Sequence, residues 1–172
     1  MSDKIALEHL FHQTMLQNDP LLQRICCVYS SPRASSEDLY QEVAAALWIG
    51  LKSFRGQSAL STWVYRVAIN TCISFLRRND SMKLRTQPLE NIDISEETQF
   101  SSTDELAFLQ LLISKLDPMD KALILLWLEE KSYSEMSEVT GLSPTAIGAR
   151  LTRIRHRLRR LSEKELESKG YE

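Results

Sequence analysis

The sequence of 172 residues is poor in the residues that interrupt helices, since it holds only five glycines and five prolines. Leucine, alanine, arginine, glutamate and lysine are plentiful, and this mixture favours helices over strands. A content of 43% hydrophobic and 26% charged residues is typical of a soluble globular protein. The apolar residues recur at a helical period and no segment alternates as a strand would, so we expect an all-α fold.

Cysteine is also scarce, and the pattern of the three cysteines argues against metal and disulfide sites. Cys26 and Cys27 are adjacent, which rarely allows a disulfide, and no Cys/His ligand spacing occurs. His9 and His12 lie near Glu8, but no third ligand or catalytic base is identifiable beside them. We therefore expect reduced, mostly buried thiols, no metal, no cofactor and no enzymatic activity.

Long apolar runs are missing as well. None reaches the roughly 18 residues of a membrane-spanning helix. Acidic residues and histidine interrupt the first apolar residues, so no signal peptide is recognisable. We therefore expect a cytoplasmic protein that does not insert into a membrane.

Charge of both signs is present but segregated along the chain. The net charge of −2 conceals two blocks without acids, because residues 51–79 carry five basic side chains and residues 144–161 carry six arginines. Between them, residues 80–105 hold seven acids against two basic residues. Basic blocks of this kind are typical of nucleic-acid surfaces, so we expect two such surfaces joined by an acidic segment.

The acidic segment lacks sustained periodicity and contains Pro88, which is typical of a flexible linker. Long segments without structure are uncommon inside one compact domain. We therefore expect two small helical domains, at residues 1–79 and 103–172, with residues 80–102 as the linker. In the first domain, Asn18-Asp19-Pro20 predicts a break between two helices.

The second domain contains the clearest motif, which predicts a helix-turn-helix. Residues 134–140 supply the first helix, and Gly141 suits the positive φ expected at its end. Ser143 is a good cap for a second helix over residues 143–160. This second helix is the expected DNA-recognition helix.

The recognition helix has an apolar stripe and an opposite face of small residues. Ile147, Leu151 and Ile154 recur at the helical period and should be buried. The opposite face suits the major groove, with flanking arginines near phosphates. Gly148 is unfavourable inside a helix, which close approach to DNA or to another helix would explain. The residues expected at DNA are Ser143, Thr145, Ala146, Ala149, Arg150, Thr152 and Arg153.

A second polar face lies on the helix expected from Ser61 to Arg78. It combines basic and amide side chains at steps of three or four, and the loop before it adds more. Such a surface suits single-stranded DNA. Trp63 falls on the apolar stripe of this helix, so we expect it in the core. The residues expected at DNA are Arg55, Gln57, Ser58, Thr62, Arg66, Asn70, Arg77 and Arg78.

Two stretches carry a resemblance to a known family. DLYQEVAAALWIGLKSFRGQSALSTW at residues 38–63, followed at this spacing by SYSEMSEVTGLSPTAIGARLTRIRHRLRR at residues 132–160, resembles bacterial sigma factors of the extracytoplasmic-function (ECF) type. The resemblance covers most of the chain. It implies an initiation subunit of RNA polymerase, in which the first domain opens and reads the −10 promoter element and the second domain reads the −35 element.

The resemblance also implies partners. In that family the helix carrying DLYQEV docks on a coiled coil of the polymerase β′ subunit, and the helix-turn-helix domain rests on the β flap. Here Asp38, Gln41, Glu42 and Ala45 lie on one helix face and would meet the coiled coil. A flipped promoter base would enter a pocket of the loop at residues 55–61. An anti-sigma factor is also implied, and the free chain is expected to be a monomer.

One departure from the family concerns the recognition helix. The family often reads GTVKSR where this chain reads TAIGAR at residues 145–150, so Gly148 and Ala149 replace the usual Lys and Ser. The departure affects the expected −35 sequence and leaves the expected fold unchanged. Two alternatives remain open at this point: a dimeric helix-turn-helix repressor or activator, which would bind duplex DNA by itself, and an interaction module without a DNA role.

Overall fold

We describe the protein from a computed structural model, in which residues 2–32, 34–83 and 104–168 are described. These residues form seven α-helices and no strand. The helices are α1 (Ser2–Tyr29), α2 (Ser36–Leu51), α3 (Leu60–Lys83), α4 (Asp104–Ser114), α5 (Pro118–Leu128), α6 (Tyr133–Thr140) and α7 (Pro144–Ser168). The chain divides into two compact units, with α1 to α3 in the first and α4 to α7 in the second. The expected all-α fold of two helical domains is therefore confirmed.

The first unit is a three-helix bundle. The inward face of α2 consists of Leu39, Val43, Leu47 and Leu51, all buried. Ser35 begins α2 because its hydroxyl accepts a hydrogen bond from the backbone N–H of Asp38 at 3.0 Å. All three cysteines are free and buried.

The predicted helix break at Asn18-Asp19-Pro20 is wrong, because α1 continues through Pro20. Two side-chain hydrogen bonds are formed by the residues just before Pro20. Asp19 accepts a hydrogen bond of 2.6 Å from the hydroxyl of Tyr40 on α2, and the amide of Asn18 donates to the carbonyl of Thr14. Contact with α2 therefore outweighs the local preference for a turn.

The linker prediction falls mostly outside the described residues. Helix α3 continues past residue 79 to Lys83, so the first four residues of the predicted linker are helical. Residues 84–103 are not described. The domain bounds at residues 79 and 103 therefore remain predictions.

The second unit packs its helix-turn-helix against the apolar helix α5, of which Ala122 to Leu126 are buried. Asp117 caps α5 and Pro118 occupies its first position, as expected. The far end of α7 is held at the turn after α4 by an ion pair between Lys115 and Glu165. No described helix is long and apolar enough to cross a membrane.

Candidate nucleic-acid and polymerase interfaces

A cavity of about 330 Å³ lies at the loop between α2 and α3. Gly56 lets the loop turn there, because its φ of 67° is a conformation that other residues rarely adopt. The cavity therefore coincides with the loop at residues 55–61 that was expected to hold a base. Its lining residues are Ser53, Phe54, Arg55, Gln57, Ser58, Trp63 and Arg66.

The aromatic wall of this cavity is Trp63, which packs against Phe54 and Gly50. Trp63 is only 8% exposed, as expected, and its ring centroid lies 5.1 Å from that of Phe54. Gly50 on α2 allows this packing, since a Cβ there would lie 2.8 Å from a ring carbon of Trp63. The two basic residues of the cavity, Arg55 and Arg66, are exposed at its opening. A rigid apolar wall with cations beside it suits a planar, negatively charged ligand.

The polar face of α3 is present, with one correction. Arg66, Asn70 and Arg77 are exposed, but Thr62 is buried with only 4% of its surface accessible. The helical period assigned Thr62 to the outer face, yet four consecutive residues near the start of α3, Thr62 to Tyr65, are all buried. Thr62 is therefore part of the core and is unsuited to bind DNA.

Arg78 lies apart from the cavity. Its guanidinium is 3.3 Å from the Glu42 carboxylate on α2 and lies over the ring of Phe75 at 5.7 Å. Because Glu42 belongs to the expected polymerase face, Arg78 links α3 to that face and is a poor probe of DNA binding.

The outer face of α2 presents the four residues expected at polymerase. Asp38, Gln41 and Ala45 are exposed, and Glu42 is half-buried. Sequence reasoning missed Ile49, which continues this face and is 67% exposed. Its position four residues after Ala45 is the signal that was available.

The helix-turn-helix is built by its capping residues. At the start of α6, the Ser132 hydroxyl accepts from the N–H of Glu135, and the Glu135 carboxylate accepts from the N–H of Ser132. Gly141 ends α6 at φ 75°, and Ser143 accepts from the N–H of Ala146 at 3.3 Å. The predicted turn is confirmed, and α6 begins one residue earlier than expected.

The outer face of α7 carries most of the residues expected at DNA. Ile147, Leu151 and Ile154 are buried, as the apolar stripe predicted. The opposite face is free of internal packing and presents small side chains near the start of the helix. The exposed residues of the expected set are Ser143, Thr145, Ala146, Ala149, Thr152 and Arg153.

Arg150 has a different place from the one expected. Its Nε lies 2.5 Å from Asp120 and its terminal nitrogen 3.0 Å from Asp117, both at the start of α5. Burial raises the pKa of Asp120, the Asp117 charge adds to this, and Arg150 opposes it. The guanidinium thus compensates two carboxylates inside the unit, so Arg150 positions α7 on α5.

Gly148 is explained by another helix. A Cβ at Gly148 would lie 3.3 Å from the ring of Tyr133 at the start of α6. Close approach to DNA and close approach to another helix were the two explanations for this glycine. The contact with Tyr133 supports the second. Tyr133 itself remains 43% exposed.

Two family models match the chain, and together they span more than half of it. Sigma-70 region 2 matches residues 14–82, and Sigma-70 region 4 matches residues 109–158. The first match contains the cavity and the outer face of α2, and the second contains α5 to α7 up to residue 158.

Curated relatives and a solved structure agree with these matches. RNA polymerase sigma factor YlaC of Bacillus subtilis is 29% identical over 140 residues, covering 77% of this chain and 80% of the relative. ECF RNA polymerase sigma factor SigM of Mycobacterium tuberculosis is 25% identical over 162 residues, covering 92% and 78%. The sigma factor RpoE of Bartonella quintana, solved with the anti-sigma factor NepR, superposes with a TM-score of 0.73 at 25% identity, covering 89% of this chain and 96% of that chain.

Region 2 and region 4 occur in one chain, in this order, with ECF sigma factors among the relatives that span most of it. A dimeric repressor and a plain interaction module do not account for that combination. The chain belongs to the ECF-type sigma factors, which direct transcription initiation by RNA polymerase.

Proposed function

We propose that the first unit captures the −10 element as single-stranded DNA, with one base held in the cavity at the loop between α2 and α3. The cavity itself carries this proposal. Its volume of about 330 Å³ lies at the lower end of the range of small-ligand pockets.

The chemistry of the lining suits an unpaired base on a phosphate backbone. Gln57 offers an amide that can donate and accept hydrogen bonds, and Ser58 offers a hydroxyl. Arg55 and Arg66 sit where phosphates would run past the opening. A duplex would keep its bases stacked inside, so the cavity favours a base that has left the helix.

The second unit is proposed to read the −35 element as duplex DNA. The start of α7 is slim and exposed, so Thr145, Ala146 and Ala149 fit a major groove, with Arg153 beside the phosphates. Arg150 contributes indirectly by fixing α7. The β flap of polymerase is the proposed support for this unit.

The outer face of α2 is proposed to dock on the β′ coiled coil of core polymerase, through Asp38, Gln41, Glu42 and Ala45. Regulation by an anti-sigma factor is proposed because the RpoE structure contains NepR. We further propose that the chain acts in the cytoplasm as a monomer. It contributes binding and no bond-making chemistry of its own, and the initiation reaction belongs to the polymerase.

Run-off transcription with purified core polymerase tests the function. The chain should direct initiation only from templates with suitably spaced −35 and −10 elements. For the cavity, we expect Arg66→Gln to weaken binding of the holoenzyme to single-stranded −10 oligonucleotides about tenfold, because a phosphate contact at the opening is lost.

Lys4→Gln is the matched control, since it removes one positive charge from the same unit at an exposed site on α1. It should leave oligonucleotide binding unchanged. Core binding should be equal for both variants. If Arg66→Gln and Lys4→Gln bind the −10 strand equally well, the cavity is not the −10 site.

A further inference from the structure

Two cysteine thiols meet inside the first unit, where α1 packs against α3. Cys26 lies on α1 in the core, between Leu22 and Tyr29, and Cys72 lies on the buried face of α3. They are 1% and 0% exposed, and their side chains form a hydrogen bond with each other. The proposed DNA and polymerase sites do not use this pair. Two thiols in contact across a helix interface are well placed to form an intramolecular disulfide.

The hydrogen bond makes the two thiols chemically unequal. Cys72 donates its S–H to the sulfur of Cys26, and this bond lowers the pKa of Cys26, although burial opposes the change. The same bond, together with burial, raises the pKa of Cys72. Since the thiolate is the reactive form of cysteine, Cys26 is the nucleophile of the pair and Cys72 is the thiol that reacts second.

The third cysteine and a bound metal fit these thiols less well. Cys27 follows Cys26 directly, and adjacent cysteines rarely form a disulfide with each other. Burial and then the charge of Cys26 raise the pKa of Cys27, so Cys27 stays a thiol at neutral pH. In the part of the chain that the structure describes, no three potential metal ligands are grouped together. The contacting pair therefore suits a covalent reaction between two sulfurs.

We propose that a hydroperoxide oxidises Cys26 and Cys72 to a disulfide, a cross-link that joins α1 to α3 and protects the fold of the first unit. The Cys26 thiolate attacks one peroxide oxygen, the O–O bond breaks, and the leaving oxygen takes up the thiol proton. With hydrogen peroxide, this step gives a sulfenic acid and one water. The Cys72 sulfur then attacks the sulfenic sulfur, and the displaced hydroxide leaves with the Cys72 proton as a second water. Two thiols thus lose two electrons, and one peroxide is reduced.

Burial determines how fast the cross-link forms and how long it lasts. Because both sulfurs are enclosed, an oxidant reaches them only when the packing of α1 opens locally. Oxidation should therefore be slower than that of an exposed thiol. The product is enclosed in the same way, so soluble thiols should also reduce it slowly. The cross-link suits lasting protection of the fold better than rapid signalling.

The cross-link lies away from the proposed DNA surface of α3. Cys72 is buried in the bundle, whereas Arg66 and Asn70 on the same helix are exposed. The new bond closes a loop from residue 26 to residue 72, which lowers the conformational entropy of the unfolded chain. Oxidation should therefore stabilise the first unit and leave the cavity between α2 and α3 open.

The test oxidises the full chain with hydrogen peroxide, alkylates the remaining thiols in denaturant and maps linked peptides by mass spectrometry. In the folded chain we expect Cys26–Cys72 peptides to exceed Cys27–Cys72 peptides about tenfold, because Cys26 is the cysteine that contacts Cys72. In urea the two products should be nearly equal, since neighbouring residues have the same reach in an unfolded chain. A similar ratio in both states refutes the proposal, and so does a product consisting mainly of intermolecular disulfides.

Cys27→Ser is the matched control, since it removes a buried thiol from α1 and keeps the contacting pair. It should form the cross-link as the wild type does, and loss of the cross-link in this variant refutes the pairing. Cys72→Ser should stop at a sulfenic acid on Cys26, which dimedone traps. If Cys72→Ser does not fold, the peptide ratio in the wild type decides the question by itself.

Thermal unfolding measures the protection. Cross-linked Cys27→Ser should melt at least about 5 °C above its reduced form, because the closed loop disfavours the unfolded chain. A lower melting temperature after oxidation would show that the bond distorts the bundle, and would overturn the protective role.

Oligonucleotide binding distinguishes a cross-link that protects the fold from one that switches function. Holoenzyme carrying oxidised Cys27→Ser should bind single-stranded −10 DNA within about twofold of the reduced form, because the cross-link and the DNA surface are on different faces of α3. A large loss would make the cross-link a switch and overturn the protective role. Only this measurement rests on the proposed −10 function. If the reduced chain also fails to bind, that function is refuted, while the peptide ratio still decides the cross-link.

Discussion

The two units carry similar amounts of basic charge and use it in opposite ways. In the first unit, Arg55 and Arg66 line a concave site with an aromatic wall. In the second unit the proposed DNA surface is a convex helix whose leading residues are small. Concave and convex sites suit different forms of DNA, an unpaired base in the first case and an intact groove in the second.

The comparison also shows that not every basic side chain in an arginine-rich segment is available to bind DNA. Three of the six arginines of residues 144–161 have internal contacts: Arg150 with two aspartates, Arg155 over the ring of Trp127, and Arg157 with the carbonyl of Lys115. Each unit therefore uses part of its charge to hold helices together, and only the remainder is available to DNA.

The largest effect is expected from Arg150→Ala. Removal of the guanidinium leaves Asp120, which is only 8% exposed, beside Asp117 without compensation. We expect the second unit to lose about 3 kcal/mol of unfolding free energy, since breaking a largely buried ion pair leaves an uncompensated charge. Hydrogen exchange in the full chain, read from peptides of α5 and α7, measures this loss.

Arg153→Ala is the control within the same helix. Arg153 is exposed on the outer face, so its removal should leave exchange in α5 unchanged and weaken −35 binding by the holoenzyme. Equal stability of the two variants would mean that Arg150 does not hold α7 on α5.

The sequence predicted the helical elements well where local chemistry determines them. Gly141, Ser143 and Asp117 are capping residues with one dominant use, and all three occur in the structure as expected. The cavity at the loop was also anticipated, although only through the family resemblance. Its aromatic wall depends on contact between Gly50 and Trp63, which are distant in sequence.

The failures share a physical reason, which is tertiary contact. Pro20 was expected to end a helix, but packing against α2 keeps α1 continuous. Thr62 was placed on an outer face, but all four residues from Thr62 to Tyr65 are buried. The ion pairs of Arg150 were not predicted, because periodicity cannot reveal carboxylates that lie thirty residues earlier in the chain.

A second comparison between the units concerns two glycines, Gly50 and Gly148, that each lie close to an aromatic ring. Gly50→Ala places a Cβ 2.8 Å from the buried ring of Trp63, which Phe54 also confines. We expect a cost of about 2 kcal/mol from overpacking, together with weaker −10 binding because the ring forms the cavity wall. Thermal unfolding and oligonucleotide binding measure the two effects.

Gly148→Ala is the corresponding change in the second unit. Its Cβ would lie 3.3 Å from Tyr133, a half-exposed side chain that can move aside. The gain in helix propensity of roughly 1 kcal/mol offsets that adjustment, so we expect stability to change little. A large loss in Gly148→Ala would show that Tyr133 is held as rigidly as Trp63.

A smaller effect than at Arg150 or Gly50 is expected at the cap of α6, which has a counterpart at Ser35 in the first unit. Ser132→Ala should cost about 1 kcal/mol, because the N–H of Glu135 loses its acceptor. Hydrogen bonds from the backbone N–H and then the side chain of Ser132 lower the pKa of Glu135. The stability that the Glu135 carboxylate contributes is therefore complete above the usual glutamate pKa and is lost as pH falls through the lowered value.

Unfolding of the wild type and of Glu135→Ala across this pH range measures the contribution. The difference between them should shrink in acid, while the cost of Ser35→Ala, whose cap in the first unit involves no glutamate, should vary less with pH. A difference that stays constant through the acid range would mean that the ionised carboxylate adds nothing to the cap. In that case α2 and α6 are each capped by a serine hydroxyl alone, and the stability of the α6 cap does not depend on the charge of Glu135.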